Sequence, residues 1–372
     1  MDVSGEKVTL KSRDGHISPV RPLLAGDVLA ERRVAGFGWL MQNGEAASTH
    51  LDDRLLVEGD EHLPGPPNRP VPQTADGARP LAAMPPADLP AHHVHAAESV
   101  NPAIPVRAGA LLDLRGAPWR PLIRPLLAAV HATGHRLWLA GGAARDLVAN
   151  VPLSEVNDLD LSGTVPAGRF SDITRQTLRA LGMSEWQTTI NPSSLVCSVL
   201  PPKSSTRLIE YRGLSKGGFK FPAVGSRLSE DARYRDFAFN ALLYDALDHQ
   251  IMDPSGTGLD DLLGKERRFT PLNVSDDPAT QAMVIVRAAK FALRWREEDP
   301  SGVVAFDLEP LKARIAALPP TLCRTLSGSE WRGLRNAYRR SVRATARQQR
   351  EFAAMLPQPG RELLDTLIGN TR

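Results

Sequence analysis

Asp158 and Asp160 follow the glycine pair Gly141-Gly142 by sixteen and eighteen residues, counted from the second glycine. No other feature constrains the fold as tightly, because each half dictates its own setting. Upstream, Arg136-Leu-Trp-Leu-Ala140 has the composition of a short buried strand, and Ala143 to Ala149 that of a helix start. The glycines then lie at a strand-to-helix turn, where backbone N–H groups and a helix N-terminus favour an anion. Residues two apart on a strand share a face, so the two aspartates are expected to converge. Neighbouring carboxylates repel unless a cation lies between them, and hard oxygen donors suit Mg²⁺. A phosphate cradle beside a metal-binding acid pair predicts nucleotidyl or phosphoryl transfer on a mixed α/β domain.

The chain has 372 residues, enough for such a domain with appendages, and 42% of them are hydrophobic and can fill a core. Cys197 and Cys323 are the only cysteines, too few for a disulfide framework or a zinc site. There is no basic-then-apolar leader and no apolar run near the roughly 20 residues of a membrane span. A protein of the reducing cytoplasm, without membrane association, is therefore expected. Residues 1–63 read as an N-terminal extension with a small module, in which Lys7 to Lys11 alternates at strand period. Eleven prolines fall between Pro64 and Pro105. Residues 64–110 are accordingly expected to be an extended Pro-rich linker, with His92, His93 and His95 solvated within it. Residues 111–270 then form the α/β head, and 271–372 an all-helical region.

Within the head, helices are expected over 121–132 and 168–181, ended by Gly134 and Gly182. Residues 195–200 and 206–211 read as a pair of strands. Alternation along the second puts Leu208, Glu210 and Arg212 on one face, which makes Glu210 a candidate third carboxylate. Near the C-terminal end, Arg332, Arg335, Arg339, Arg343, Arg347 and Arg350 recur every three or four residues. At helical period they share one face, with Trp331, Leu334, Tyr338, Val342 and Phe352 on another. No acid interrupts from 332 to 350, and like charges four apart repel. Such a stripe predicts salt-sensitive, sequence-independent contact with a polyanion, above all RNA phosphates.

Taken in order, these motifs resemble the nucleotidyltransferase family of CCA-adding enzymes and bacterial poly(A) polymerases, within the polymerase-β-like superfamily. The family's G-G-x-x-R-D reads here Gly141-Gly-Ala-Ala-Arg145-Asp146, and its D-x-D reads Asp158-Leu-Asp160. The nearest equivalent of its E-x-x-x-x-R strand is Glu210-Tyr-Arg212. E-D-x-x-R-R-D-F-x-x-N-A-L appears as Glu230-Asp-Ala-Arg-Tyr-Arg235-Asp236-Phe-Ala-Phe-Asn240-Ala-Leu. D-P-x-G and D-L follow as Asp253-Pro-Ser-Gly256 and Asp261-Leu262, and L-R-x-x-R-F as Val286-Arg287-Ala-Ala-Lys290-Phe291.

The resemblance covers about 136 to 295 and implies a polymerase-β-like nucleotidyltransferase head followed by a helical RNA-contacting domain. It implies transfer of a nucleoside monophosphate from ATP and/or CTP to an RNA 3′ end, tRNA being the expected acceptor. Two Mg²⁺ ions, held by Asp158 and Asp160, would clamp the attacking and leaving oxygens. Gly141, Gly142, Arg145 and Asp146 would form the phosphate turn. Arg235, Asp236 and Asn240 would address the nucleotide from one helix spanning 230–247, and Arg287 and Lys290 would face its phosphates.

Three departures bear on specificity. The family selects C and A through an E-D-x-x-R set before the last helix. Here the acids are Asp276-Asp277, but the arginine position holds Thr280, or Val284 if the alignment is slid. Neither can make a guanidinium's bidentate contact with a base edge. Tyr234 replaces the first arginine of R-R-D, and the glycine-to-aspartate spacing is lengthened through 148–154. Two rival readings therefore stand beside the first. One is a specialised toxin or defence enzyme using the same chemistry on tRNA ends or another acceptor; the other is a non-catalytic RNA-binding relative.

Overall fold

The computed structural model describes strand segments at 8–11, 17–23, 28–29, 32–33, 38–41 and 46–47. It also describes residues 89–153, 156, 158–165, 167–190, 196–204, 207–214, 227–298 and 305–369. The chain divides into two compact units, Met1–Pro90 with His95–Asp231 and Leu243–Ile251, and Ala91–Val94 with Ala232–Leu242 and Met252–Arg372.

In the first unit, β1 (Val8–Lys11), β2 (Ile17–Leu23), β5 (Gly38–Met41) and β6 (Ala46–Ala47) form an antiparallel sheet in that order. A separate ribbon pairs β3 (Val28–Leu29) with β4 (Arg32–Arg33). The alternation thus does mark a strand at Val8–Lys11.

The Pro-rich segment does not stay extended to residue 110. A 3₁₀ turn at Ala91–His93 leads into β7 (Val94–Ala96), α1 (Ala97–Val100) and α2 (Ile104–Leu112). Pro105 sits in the first turn of α2, where its missing N–H has no intrahelical partner to lose. Ile104, Ala108, Leu111 and Leu112 supply the buried face that a linker would lack. The expected linker from Pro64 to Asp88 lies outside the described residues.

The head sheet also contains β8 (Leu137–Leu139), β9 (Leu159–Gly163), β10 (Gln187–Ile190), β11 (Cys197–Leu200), β12 (Ile209–Gly213), β13 (Leu243–Asp245) and β14 (Gln250–Met252). Its eight strands run in the order β10-β11-β12-β9-β8-β13-β14-β7. β9 and β12 are parallel, whereas β8 is antiparallel to both β9 and β13. Three helices complete the head after α3 (Arg120–Ala132): α4 (Gly141–Val148), α5 (Ala167–Ala180) and α6 (Leu228–Ala232). Gly134 and Gly182 stop α3 and α5 in the left-handed region. On α5, Phe170 stacks on Tyr211 of β12 with centroids 3.9 Å apart. The Tyr211 hydroxyl donates to the Val165 carbonyl, and burial pushes that phenol well above its ordinary pKa. Gly163 ends β9, where a Cβ would stand 2.3 Å from the Arg136 carbonyl oxygen, so only glycine fits beside β8.

The second unit is built on one long helix. After α7 (Gly258–Leu263) and β15 (Glu266–Arg268) comes α8 (Pro278–Glu298). The chain continues through β16 (Ala305–Asp307), α9 (Glu309–Ala316), α10 (Leu322–Thr325), α11 (Gly328–Ser341), α12 (Ala346–Ala354) and α13 (Gly360–Gly369). α10 to α13 all pack on α8. Phe237, Phe239, Phe269, Phe291 and Trp295 form an aromatic cluster, mostly edge to face, with centroids 5.1 to 6.3 Å apart. Among the described residues no helix is long and apolar enough to cross a membrane.

Two expected helices are not continuous. The helix over 230–247 ends at Ala232; a 3₁₀ turn covers Ala238–Asn240, and β13 begins at Leu243. Backbone groups that a helix would use internally go to residues 270–274 instead. Val274 N–H donates to Arg233 O, Leu272 N–H to Asp236 O and Ala238 N–H to Thr270 O, each at 3.0 Å. The Asp236 carboxylate takes the Phe237 N–H at 2.9 Å, a local competition that Asp wins readily against a helix. The arginine helix also breaks, between Ser341 and Ala346. Thr345 starts α12 with a capping box to Gln348, a Thr-x-x-Gln signal present in the sequence.

Candidate active site

β8 delivers the chain to Ala140, which is extended (φ −136°, ψ 176°) and donates its N–H to the Asp160 carbonyl at 2.8 Å. Gly141 then turns with φ 50° and α4 begins, two residues earlier than expected. A Cβ on Gly141 would stand 2.7 Å from Asp160 Oδ2. The same oxygen accepts the Gly142 N–H at 3.0 Å. The glycine turn and the acidic strand are therefore one object, with the Asp160 carboxylate seated on the first turn of α4, where the helix dipole favours negative charge.

Glu210 lies directly across from Asp160 in the parallel β9–β12 register, so both side chains leave the same face from Cα atoms on the order of 5 Å apart. Glu210 Oε1 accepts from Arg207 at 2.7 Å and from Ser198 Oγ at 3.3 Å. Asp158 is exposed and stands one residue before β9 rather than on it. Among the described residues no three His, Cys, Asp or Glu side chains are gathered as a metal cluster. Asp160 and Glu210 thus share one face of the sheet. These donors are carboxylate oxygens on a solvent-reachable face, which suits a hard divalent ion.

Arg145 is buried, with Nη2 2.6 Å and Nε 2.8 Å from Asp146 Oδ1. Its guanidinium also runs alongside the turn, since a Cβ on Gly142 would be 3.8 Å from Nη2. Downstream, Arg212 bonds Asp231 at 3.1 Å.

A second constellation belongs to the second unit. Buried Asp236 accepts from Asn240 Nδ2 at 2.9 and 3.1 Å and from Arg287 Nη1 at 2.8 Å. Burial alone would push this carboxyl up; the Arg287 guanidinium, the Asn240 amide and the Phe237 N–H outweigh it and hold it below the usual range. Arg287 remains half exposed, and Lys290, one turn along α8, lies 5.2 Å from the Phe291 ring centroid. Arg235 sits half-buried just before Asp236. Asp277 caps α8, with Oδ2 accepting from Thr280 N at 2.8 Å and Thr280 Oγ1 at 2.7 Å, and Val284 is buried. The position compared with a base-reading arginine thus serves as a helix cap or as core.

The structure adds residues that the motifs did not assign. Asp253 organises the Asp-Pro-Ser-Gly turn, accepting Gly256 N–H at 3.0 Å, Ser255 Oγ at 2.7 Å and Leu259 N–H at 3.0 Å. Asp261 is buried, its Oδ2 has no hydrogen-bond partner, and desolvation raises its carboxyl to about 6. Only their polar character within a turn motif hinted at either.

Arg332, Arg335 and Arg339 fall on α11, Arg347 and Arg350 on α12, and Arg343 in the break between the two helices, which are joined by Tyr338 Oη donating to Gln349 Oε1 at 2.8 Å. Leu334, Tyr338, Val342 and Phe352 are buried, as expected, while Arg332, Arg339, Arg343, Arg347 and Arg350 are exposed and Arg335 is half-buried. Arg347 is paired with Glu351 at 2.8 Å, the acid lying one residue beyond the stretch read as acid-free.

The fold, with the match over its central segment, is that of a nucleotidyltransferase head. Residues 137–268 match the family model described as the poly A polymerase head domain. Solved structures similar to the chain include the CCA-adding enzyme of Thermotoga maritima complexed with tRNA_CCA, at 19% identity and TM-score 0.47, covering 66% of this chain and 53% of that one. Another is the Bacillus stearothermophilus CCA-adding enzyme in complex with CTP, at 17% identity and TM-score 0.44, covering 65% and 54%. The chain spans a little over half the length of these proteins. No curated protein sequence matches it.

Proposed function

We propose that the protein is a divalent-metal-dependent, template-independent nucleotidyltransferase that moves a nucleoside monophosphate from an NTP to an RNA 3′ end. The observation that carries this reading is the Asp160 carboxylate, held on the Gly142 N–H at the opening of α4 with Glu210 in register beside it. A divalent ion held by Asp158 and Asp160, with Glu210 at hand, would neutralise the triphosphate and acidify the attacking hydroxyl.

The chain's own residues account for the rest. Gly141 and Gly142 let backbone approach a phosphate, and Arg145 places positive charge beside the turn. Asp236 and Asn240 orient the nucleotide while Arg287 and Lys290 meet its phosphates. The arginines of α11, of α12 and of the break between them hold the RNA backbone without reading its sequence. ATP and CTP are the expected donors and tRNA the expected acceptor. A second reading, altered nucleotide choice or a different acceptor, is favoured by Thr280, whose hydroxyl and N–H are committed to Asp277.

The test offers each labelled NTP with Mg²⁺ to tRNAs lacking or carrying their terminal CCA. Incorporation that vanishes in Asp158→Ala and Asp160→Ala supports the proposal, and the labelled base identifies the donor. RNA binding without incorporation, unchanged in Asp158→Ala, would instead identify a non-catalytic relative.

A further inference from the structure

The segment carrying Arg235 and Asp236 is neither helix nor sheet, and its position depends on residues 270–274, against which it lies as an isolated ladder. That support is itself fastened from outside. Asn273 spends its side chain on both neighbours, donating to the Tyr234 carbonyl at 3.1 Å and accepting the Ser275 N–H at 2.9 Å. Gln281, buried on α8, donates to the Ser275 carbonyl. Arg314 of α9 then ties both together, its Nη2 donating to the Asn273 carbonyl at 3.2 Å and its Nε to Gln281 Oε1 at 3.3 Å.

We infer that Arg314 is a positioning residue for the nucleotide, acting through Asn273 on the Arg235–Asp236 segment. The inference rests on the proposed role of Asp236 and Arg287 at the nucleotide. Three features support it. Both Arg314 acceptors are neutral oxygens, so the guanidinium answers no buried charge and its placement is geometric. It is also the one link between α9 and the loop on which the nucleotide segment leans, among the hydrogen bonds of the described residues. Finally, a planar guanidinium can reach two acceptors at once, whereas an ammonium on a flexible stem holds such a fork poorly.

Displacing a substrate-orienting group by a fraction of an ångström acts on binding geometry more than on the fold. Arg314→Ala is therefore expected to raise the NTP KM roughly tenfold with kcat changed less than about threefold. Arg314→Lys should rescue only partly, and Lys312→Ala, on the same helix, should match wild type. In Arg314→Ala, hydrogen exchange should accelerate at the Leu272, Val274 and Ala238 amides while amides of the α8 interior stay protected. Because Asn273 mediates the effect, Arg314→Ala should add little to the KM change of Asn273→Ala.

Unchanged exchange at those amides overturns the strut whatever the activity. Faster exchange with an unchanged KM, or full rescue by lysine, overturns its role at the nucleotide. A wild-type protein that incorporates no nucleotide refutes the proposed function instead, and the exchange result still decides whether the strut exists.

Discussion

The two glycines of the turn are adjacent but carry different physical burdens, and alanine substitution separates them. Gly141 has φ 50°, and its Cβ would come 2.7 Å from Asp160 Oδ2. Forcing alanine into the left-handed region costs about 1–2 kcal/mol. Relieving the contact means swinging the Asp160 carboxylate off the Gly142 N–H, forfeiting a charge-assisted bond worth about 1.5–3 kcal/mol. Partial relaxation leaves an expected loss of roughly 2–4 kcal/mol in Gly141→Ala. At Gly142 the Cβ would sit 3.4 Å from the same oxygen, close but tolerable after a shift of a few tenths of an ångström. Alanine also gains about 0.5–1 kcal/mol over glycine within a helix, so Gly142→Ala should be near neutral in stability. Urea denaturation at pH 7 gives both numbers, and nucleotide incorporation by the folded fraction reads whether Asp160 has moved. Gly141→Ala should be inactive as well as unstable. Equal stability losses at the two positions would refute the reasoning.

Other consequences follow from charge. Arg287→Gln should destabilise by about 1–2 kcal/mol at pH 7, between the exposed-pair and buried-pair limits because Arg287 is half exposed. The depressed Asp236 carboxyl contributes stability above its unfolded pKa and loses it as pH falls through its folded value, so the deficit should shrink below about pH 4 in urea titrations. Asp261 has the opposite sign. With its carboxyl raised to about 6, the folded state holds more protons between about pH 4 and 6, so stability falls as pH rises through that window. Asp261→Asn should flatten this fall, on the order of 2 kcal/mol, and a wild-type slope in the variant would count against the buried carboxyl. Changing Arg339, Arg343 and Arg347 together to Ala should weaken RNA binding and lower its log–log salt slope by about 2, less than three full contacts because Arg347 already pairs with Glu351. An unaltered slope would return these residues to a solvated face.

Local chemistry explains which parts of the fold were readable. The strand, glycine turn and α4 follow from apolar runs and glycines within a dozen residues, and α3 and α5 carry their own stop signals at Gly134 and Gly182. Alternation placed Glu210 on a face, but its register against Asp160 is set by strands fifty residues apart and is invisible locally. Asp236 and Asn240 do meet, though through a 3₁₀ turn rather than a helix face, because residues 270–274 claim the backbone that a helix would need. Residues 91–112 defied their proline content because Ile104, Leu111 and Leu112 had a core to join. The break at 342–345 was legible in Thr345 and Gln348 but was masked by the regular spacing of arginine.

The most direct test compares wild type with Asp160→Asn, an isosteric change that keeps an acceptor for the Gly142 N–H while removing the charge. Both are incubated with Mg²⁺, labelled ATP or CTP and tRNA, and label joined to RNA is counted. Transfer by wild type with a loss of at least about a thousandfold in the variant, at matched folded fraction, is the predicted result. Equal transfer by the two proteins would contradict the account at its centre.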